Sequence, residues 1–344
     1  MFRTTSLVLA CVFAAACSQS DSVVLYASVD RQLAEPLVGA FEESTGLDVR
    51  AVFDVEANKT AGLINRLAAE RTAPRADVFW SGEVGRTIEL CERGILQPLV
   101  HPALEKLRGA KDDPHGCWFV LAARLRVLLV HESEATSASG HLSISELTSA
   151  RWHGRACIAN PRFGTTATHF AALLTKWGEV RFRQWLRDLR ANAVAVLPGN
   201  AQVKESVSRG ACSLGLTDTD DALAALTVSA PVRLVIPDQE SEMSPDQQQQ
   251  GAAGVVMIPS TVAAVAGGRN TTAGRRFIQF LLSGESEGRL VSGPGGFIPI
   301  RYSELDGPAG LPALGELAVM RVDYAAVAKA MPSMLRIVDE EWPR

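Results

Sequence analysis

Regular alternation of β-rich runs with amphipathic segments is the feature that most restricts this chain, because it admits an α/β fold and little else. VVLYAS (Val23–Ser28) reads as a strand, and Leu33, Leu37, Val38 and Phe41 then recur at helical spacing until Gly46 stops the pattern. DVRAVF is a second strand, Ala61, Leu63, Ile64, Leu67 and Ala68 mark a second helix, and ADVFW is a third strand before a short helix over Thr87–Arg93. This βαβαβ order predicts a parallel sheet joined by right-handed crossovers.

A second α/β set lies inside the first. Arg126–His131 is an apolar strand leading out of the first unit. RACIAN, helices near Thr166–Trp177 and Val180–Arg190, VAVLP, a helix near Val203–Arg209, ACSLGL and VRLVIP follow. The polar stretch Ser241–Gly251 has no periodicity and reads as a surface loop. GVVMIPSTVAAV then returns to the first unit, Arg275–Leu282 covers it, and Leu314–Val338 is helical in pattern. The nesting predicts two lobes, residues 23–124 with 256–302 and residues 125–255, sharing two crossing strands and followed by C-terminal helices in 303–344. Ligand sites of such folds lie at the C-terminal ends of strands and between lobes.

The first 17 residues stand apart: Arg3 precedes an apolar run, Leu7–Ala16, too short to span a bilayer permanently, which marks an export signal. The run ends in AAAC, similar to the lipobox of bacterial lipoproteins, so Cys17 is expected to carry lipid and residues 18–22 to form a tether. Ala14 stands where that motif usually has Leu, and an ordinary signal-peptidase site is the alternative. Outside the signal and Cys17, four cysteines remain in an oxidising compartment. Pairing within each lobe gives Cys91–Cys117 and Cys157–Cys212; buried free thiols are the other reading. A net charge of −4, with no basic cluster or aromatic ladder, argues against a nucleic-acid partner.

Polar clusters fall where predicted strands end. Ser28–Asp30, Ser81–Glu83 and Thr217–Asp221 together bring up to five carboxylates toward one cleft, and Asp218, Asp220 and Asp221 sit within four residues. Packing acids this tightly calls for a positive charge, either a hard cation or an ammonium group. Asp30 reads equally well as a helix N-cap. NPRFGTT has the opposite character: Gly164, Thr165 and Thr166 open a helix, so backbone N–H groups, two hydroxyls and the positive dipole end meet at one place, to which Arg124 or Arg126 could add a guanidinium. No G-x-S-x-G, H-E-x-x-H or P-loop spacing is present, and no histidine sits in a metal-ligand pair; His169 reads as packing.

LYASVDRQLAEPLVGAFEESTGLDVR, ADVFWSGE, AARLRV, NPRFGTT and GLTDTDDA occur in an order that resembles bacterial extracellular solute-binding proteins, in the branch of the periplasmic ferric-ion-binding proteins. The resemblance implies a two-lobed type II periplasmic-binding-protein clamshell with two crossing hinge strands. It also implies a non-enzymatic monomer in the periplasm that serves an ABC-transporter permease, anchored here through Cys17. Where that branch has a His and a Glu, this chain has Asp30 and Gly82, with Glu83 beside it, and its paired tyrosines fall on Asp220 and Asp221. Asp30, Glu83, Asp220 and Asp221 are thus the implied metal ligands. Ser28, Arg124, Gly164, Thr165, Thr166, Asn200 and Asp218 are the expected anion and ligand contacts. The implied cargo is ferric iron or another hard cation with phosphate or carbonate. The alternative is an organic anion or zwitterion such as an aminoalkylphosphonate or sugar phosphate, or a polyamine- or thiamine-like cation.

Overall fold

The computed structural model describes residues 22–54, 61–134, 142–239, 254–293, 295–302 and 304–342. The export signal, Cys17, residues 18–21 of the tether and the polar stretch Ser241–Gly251 lie outside the described residues. The first unit is built from β1 (Ser22–Ala27), α1 (Arg31–Thr45), β2 (Asp48–Phe53), α2 (Ala61–Ala69), β3 (Val78–Ser81), α3 (Val84–Glu92), β4 (Leu96–Gln97) and α4 (Pro102–Glu105). The long strand β5 (Trp118–His131) leads to β6 (Ala156–Ala159), α5 (Gly164–Trp177), α6 (Glu179–Ala191), β7 (Ala195–Leu197), α7 (Asn200–Ser208), β8 (Leu214–Asp218), α8 (Thr219–Thr227) and β9 (Val232–Val235). Strand β10 (Met257–Val265) and helices Thr271–Leu281, Gly284–Ser292 and Tyr324–Glu341 complete the chain.

Strands run in the order β2-β1-β3-β10-β5-β8-β6-β7, with β4 on β10 and β9 on β5. As the crossovers require, β1 is parallel to β2 and β3, and β6 to β7 and β8. The expected strand at Arg126–His131 is only the second half of β5, which continues back to Trp118. Its first half pairs with β10 up to Leu125, and from Arg126 it pairs with β8. Eleven of its fourteen residues are apolar and all eleven are buried, because helices cover both faces of the sheet, the condition under which strand sequences lose their alternation. Apart from His131 at its end, the exceptions are Arg124 and Arg126, two apart and therefore on one face, at the point where β5 changes partner.

Each lobe has two apolar layers. In the first, Phe41, Phe277 and Phe297 pack on one side of the sheet and Leu63, Phe79 and Ile88 on the other. In the second, Phe170, Phe182 and Trp185 pack on one side and Val203, Val207 and Ala222 on the other. Helix Tyr324–Glu341 joins the lobes from behind: Ala328 packs into the first, while Met331, Met334 and Ile337 pack into the second. The helical pattern expected over Leu314–Val338 is interrupted, since Val319 leaves it to bridge Val255. Both disulfides close within a lobe, Cys91–Cys117 and Cys157–Cys212, as pairing within each lobe anticipated.

Candidate functional site

A cleft of about 120 Å³ opens where the two sets of strands end. From the first lobe Ser28, Asp30, Leu33 and Glu83 line it; from the second Phe163–Thr166, Pro198–Ala201, Asp218, Asp220 and Asp221 do so, with Arg124 between them. Every expected ligand and anion residue therefore reaches one place.

The acidic triplet has cations of its own chain beside it. Asp218, fully buried, lies 2.5 Å from Nη1 of the equally buried Arg126 and accepts hydrogen bonds from the Thr165 hydroxyl at 2.6 Å and Asn200 Nδ2 at 3.0 Å. Asp220 accepts from Arg124 Nη1 at 2.9 Å, and Asp221 stands 3.6 Å from Lys204 Nζ. The positive charge that this cluster calls for is thus supplied in part by the fold, since each of the three acids stands beside an arginine or lysine.

The pKa directions follow from this pairing. Burial alone would raise the Asp218 carboxyl, but Arg126 and Arg124 overcome it and hold it below the ordinary value. Burial pushes Asp220 up, with Asp218 adding to the shift against the pull of Arg124. Asp221 is pushed up to about 8, first by burial and then by Asp220 and Asp218, since Lys204 is a distant counter-charge. Burial works against the Arg124 guanidinium, yet Asp220 and Asp218 keep its pKa above the usual arginine value.

Arg126 also donates to the Thr166 hydroxyl at 3.1 Å, Thr165 Oγ1 at 3.1 Å and Asn200 Oδ1 at 3.3 Å, so the side chains of the expected anion loop are bound from below. His169 lies over the same guanidinium, 3.4 Å from its Nε, and burial followed by the Arg126 charge drives its pKa well down. The backbone N–H groups of the loop are a separate matter. Neither Phe163, the N-cap of α5, nor Gly199, the N-cap of α7, makes a side-chain cap, and neither helix has an acid in its first turn. In α8 that position is taken by its own Asp220 and Asp221. Gly164 enters α5 at φ 57°, in the left-handed region that favours glycine, with nothing within 4 Å of where a Cβ would point. Two helix N-termini thus present unaccompanied donors and positive dipole ends to the cleft.

The four implied metal ligands line the cleft but do not form a cage. Among the described residues no group of three or more His, Cys, Asp or Glu has the geometry to hold a metal ion. Glu83 is committed to capping α3, accepting from Gly85 N at 2.7 Å and Arg86 N at 3.1 Å, and it takes the Thr168 hydroxyl across the cleft at 2.6 Å. Burial nonetheless holds its pKa above the ordinary value. Asp30 occupies the N-cap position of α1 without capping it by side chain. Ser28 accepts from Gly82 N at 3.2 Å and so braces the turn after β3.

Sequence reasoning missed Thr168, whose bond to Glu83 joins the lobes, and Phe163, whose ring stands at the cleft mouth. Nothing in the sequence around Thr168 signals a partner 85 residues away. The arginines were legible as cleft residues; their pairing with particular aspartates was not.

This arrangement belongs to a known class. The chain is a member of the family of bacterial extracellular solute-binding proteins, whose sequence profile it matches over residues 23–292. It is 24% identical over 216 residues to the major ferric iron-binding protein of Neisseria meningitidis, a match covering 61% of each chain, so it spans about three fifths of that relative's length. Its fold superposes on apo ferric ion-binding protein A of Pasteurella haemolytica with a TM-score of 0.80 at 20% identity, covering 93% of this chain and 98% of that one. It superposes equally well on the periplasmic binding protein AfuA of Actinobacillus pleuropneumoniae with exogenous fructose-6-phosphate bound, at TM-score 0.78 and 18% identity, covering 93% and 98%. The fold is the two-lobed periplasmic-binding-protein clamshell.

Proposed function

We propose that this protein is the solute-capturing component of an ABC importer at the bacterial cell envelope, and that its cargo is a small organic phosphate. The observation that carries this reading is the convergence of the uncapped α5 and α7 N-termini on one cleft in which Asp218, Asp220 and Asp221 already stand beside arginine and lysine. The phosphate would take the N–H groups of Gly164–Thr166 and Asn200, with Arg124 alongside. Because the walls come from both lobes, only a closed clamshell makes every contact, and closure would present the loaded form to the permease. The proposed protein binds and releases its cargo unchanged, works as a monomer, and is held at the membrane through lipid on Cys17.

The test is calorimetric titration of chelator-treated protein with fructose 6-phosphate and orthophosphate. Saturable binding in metal-free buffer supports the reading, and failure of every phosphate compound to bind overturns it. A second reading, ferric iron with a synergistic anion, is favoured by the curated relative's name. It requires Arg124 to release Asp220 and Thr168 to release Glu83. Ferric nitrilotriacetate in the same titration separates the two.

A further inference from the structure

Phe163 is the one aromatic side chain among the described residues that falls in the exposed class, at 43%, and it lines the cleft. A bare ion or orthophosphate held at α5 would leave this ring in water. Its place in the chain matters: as N-cap of α5 it immediately precedes Gly164, so its ring is covalently tied to the N–H groups that would hold a phosphate. A group esterified to a phosphate held there would leave the cleft next to Phe163, which lines it. Across the cleft Val29 and Leu33 of the first lobe line the same space, and Pro198 adds a further apolar surface on the Phe163 side. The cleft therefore joins an anion-binding end to a slot with apolar walls on both lobes, one of them a planar ring.

Resting on the organic-phosphate reading, we infer that Phe163 determines specificity by stacking on the body of the ligand, and that the preferred cargo is a phosphate monoester with a planar, unsaturated ring. Stacking on an aromatic face adds about two- to tenfold in affinity beyond simple burial and favours a flat partner over an aliphatic one of like size.

The test compares phenyl phosphate, cyclohexyl phosphate and orthophosphate on wild type, Phe163→Ala and Phe163→Leu, with thermal melts to confirm that each variant is folded. Wild type should bind phenyl phosphate about two- to tenfold tighter than cyclohexyl phosphate. Phe163→Ala should abolish that preference while leaving orthophosphate affinity within about twofold, and Phe163→Leu should keep general apolar affinity without the preference for the flat ring. Equal loss for phenyl phosphate and orthophosphate would make Phe163 a positioning residue for α5 and overturn the inference. So would a wild type indifferent to the ring. Absence of binding to all three compounds would instead overturn the organic-phosphate reading on which the inference rests.

Discussion

Arg124 Nη1 stands 2.9 Å from Asp220 Oδ2, while Nη2 of the same guanidinium donates to the Gly82 carbonyl at 2.6 Å. One side chain on the strand shared by both lobes thus touches the first lobe through Gly82 and the second through Asp220. It is also the cation placed beside the uncapped N-termini of α5 and α7. On the organic-phosphate proposal, Asp220 is the resident counter-ion that the cargo phosphate displaces from Arg124.

If so, the two partners respond oppositely to substitution. Arg124→Met should weaken fructose 6-phosphate binding by at least about tenfold, the scale of one charge-assisted hydrogen bond in a buried site. Asp220→Asn should preserve or tighten it, because the guanidinium is then freed from its competitor. Calorimetry on both variants checks this; loss of binding in Asp220→Asn would show that the acid itself holds the ligand.

Asp218 and Arg126 are both fully buried, and removing one leaves the other charged and unpaired. Asp218→Ala should cost about 3–5 kcal/mol of stability, measured by urea unfolding. A loss near zero would mean that Thr165, Thr166 and Asn200 alone satisfy the guanidinium.

Asp221 carries a pH signature. Its folded pKa of about 8 lies above the usual carboxyl value of about 3.9, so the native state holds a proton that the unfolded chain releases. This group's contribution to stability is therefore greatest below the unfolded pKa and falls as pH rises from about 4 to about 8. Asp221→Asn should raise the melting temperature at pH 8, and the difference from wild type should vanish toward pH 4. A pH-independent difference would contradict the assignment.

Much of this is legible in the amino-acid sequence. Strand and helix alternation, the second α/β set and the positions of Asp30, Glu83, Arg124, Thr165 and Asp220 around one cleft follow from local periodicity and strand ends; of the two expected crossing strands, β5 alone pairs with strands of both sets. Charge pairing was not legible, because it depends on strand register. Asp218 ends β8 opposite Arg126 only because β5 and β8 align those two residues as neighbours, and nothing local to TDTDD encodes that alignment. The same limit applies to Glu83: a carboxylate one residue before a helix reads equally well as ligand or cap, and its bonds to Gly85 and Arg86 decide for the cap.

The Thr168 hydroxyl bond to Glu83 at 2.6 Å links α5 of the second lobe to the cap of α3 in the first. Thr168→Val keeps the shape and removes the donor, leaving Glu83 with its backbone partners. The expected result is a shift of the empty protein toward the open form, seen as a larger radius of gyration by small-angle scattering, with cargo affinity lowered a few-fold. No change in scattering would show that helix Tyr324–Glu341 and the crossing strands alone set the resting angle.

The most direct test of the central claim, that Asp218, Asp220 and Asp221 pair with cations of this chain and that the helix N-termini of the cleft take an anionic cargo, is native mass spectrometry with elemental analysis on protein purified without chelators or added metal. The account predicts a metal-free chain that is empty or carries an organic mass containing one phosphorus, and that takes up fructose 6-phosphate when offered. Stoichiometric iron that survives purification, in a protein that ignores organic phosphates, would contradict it.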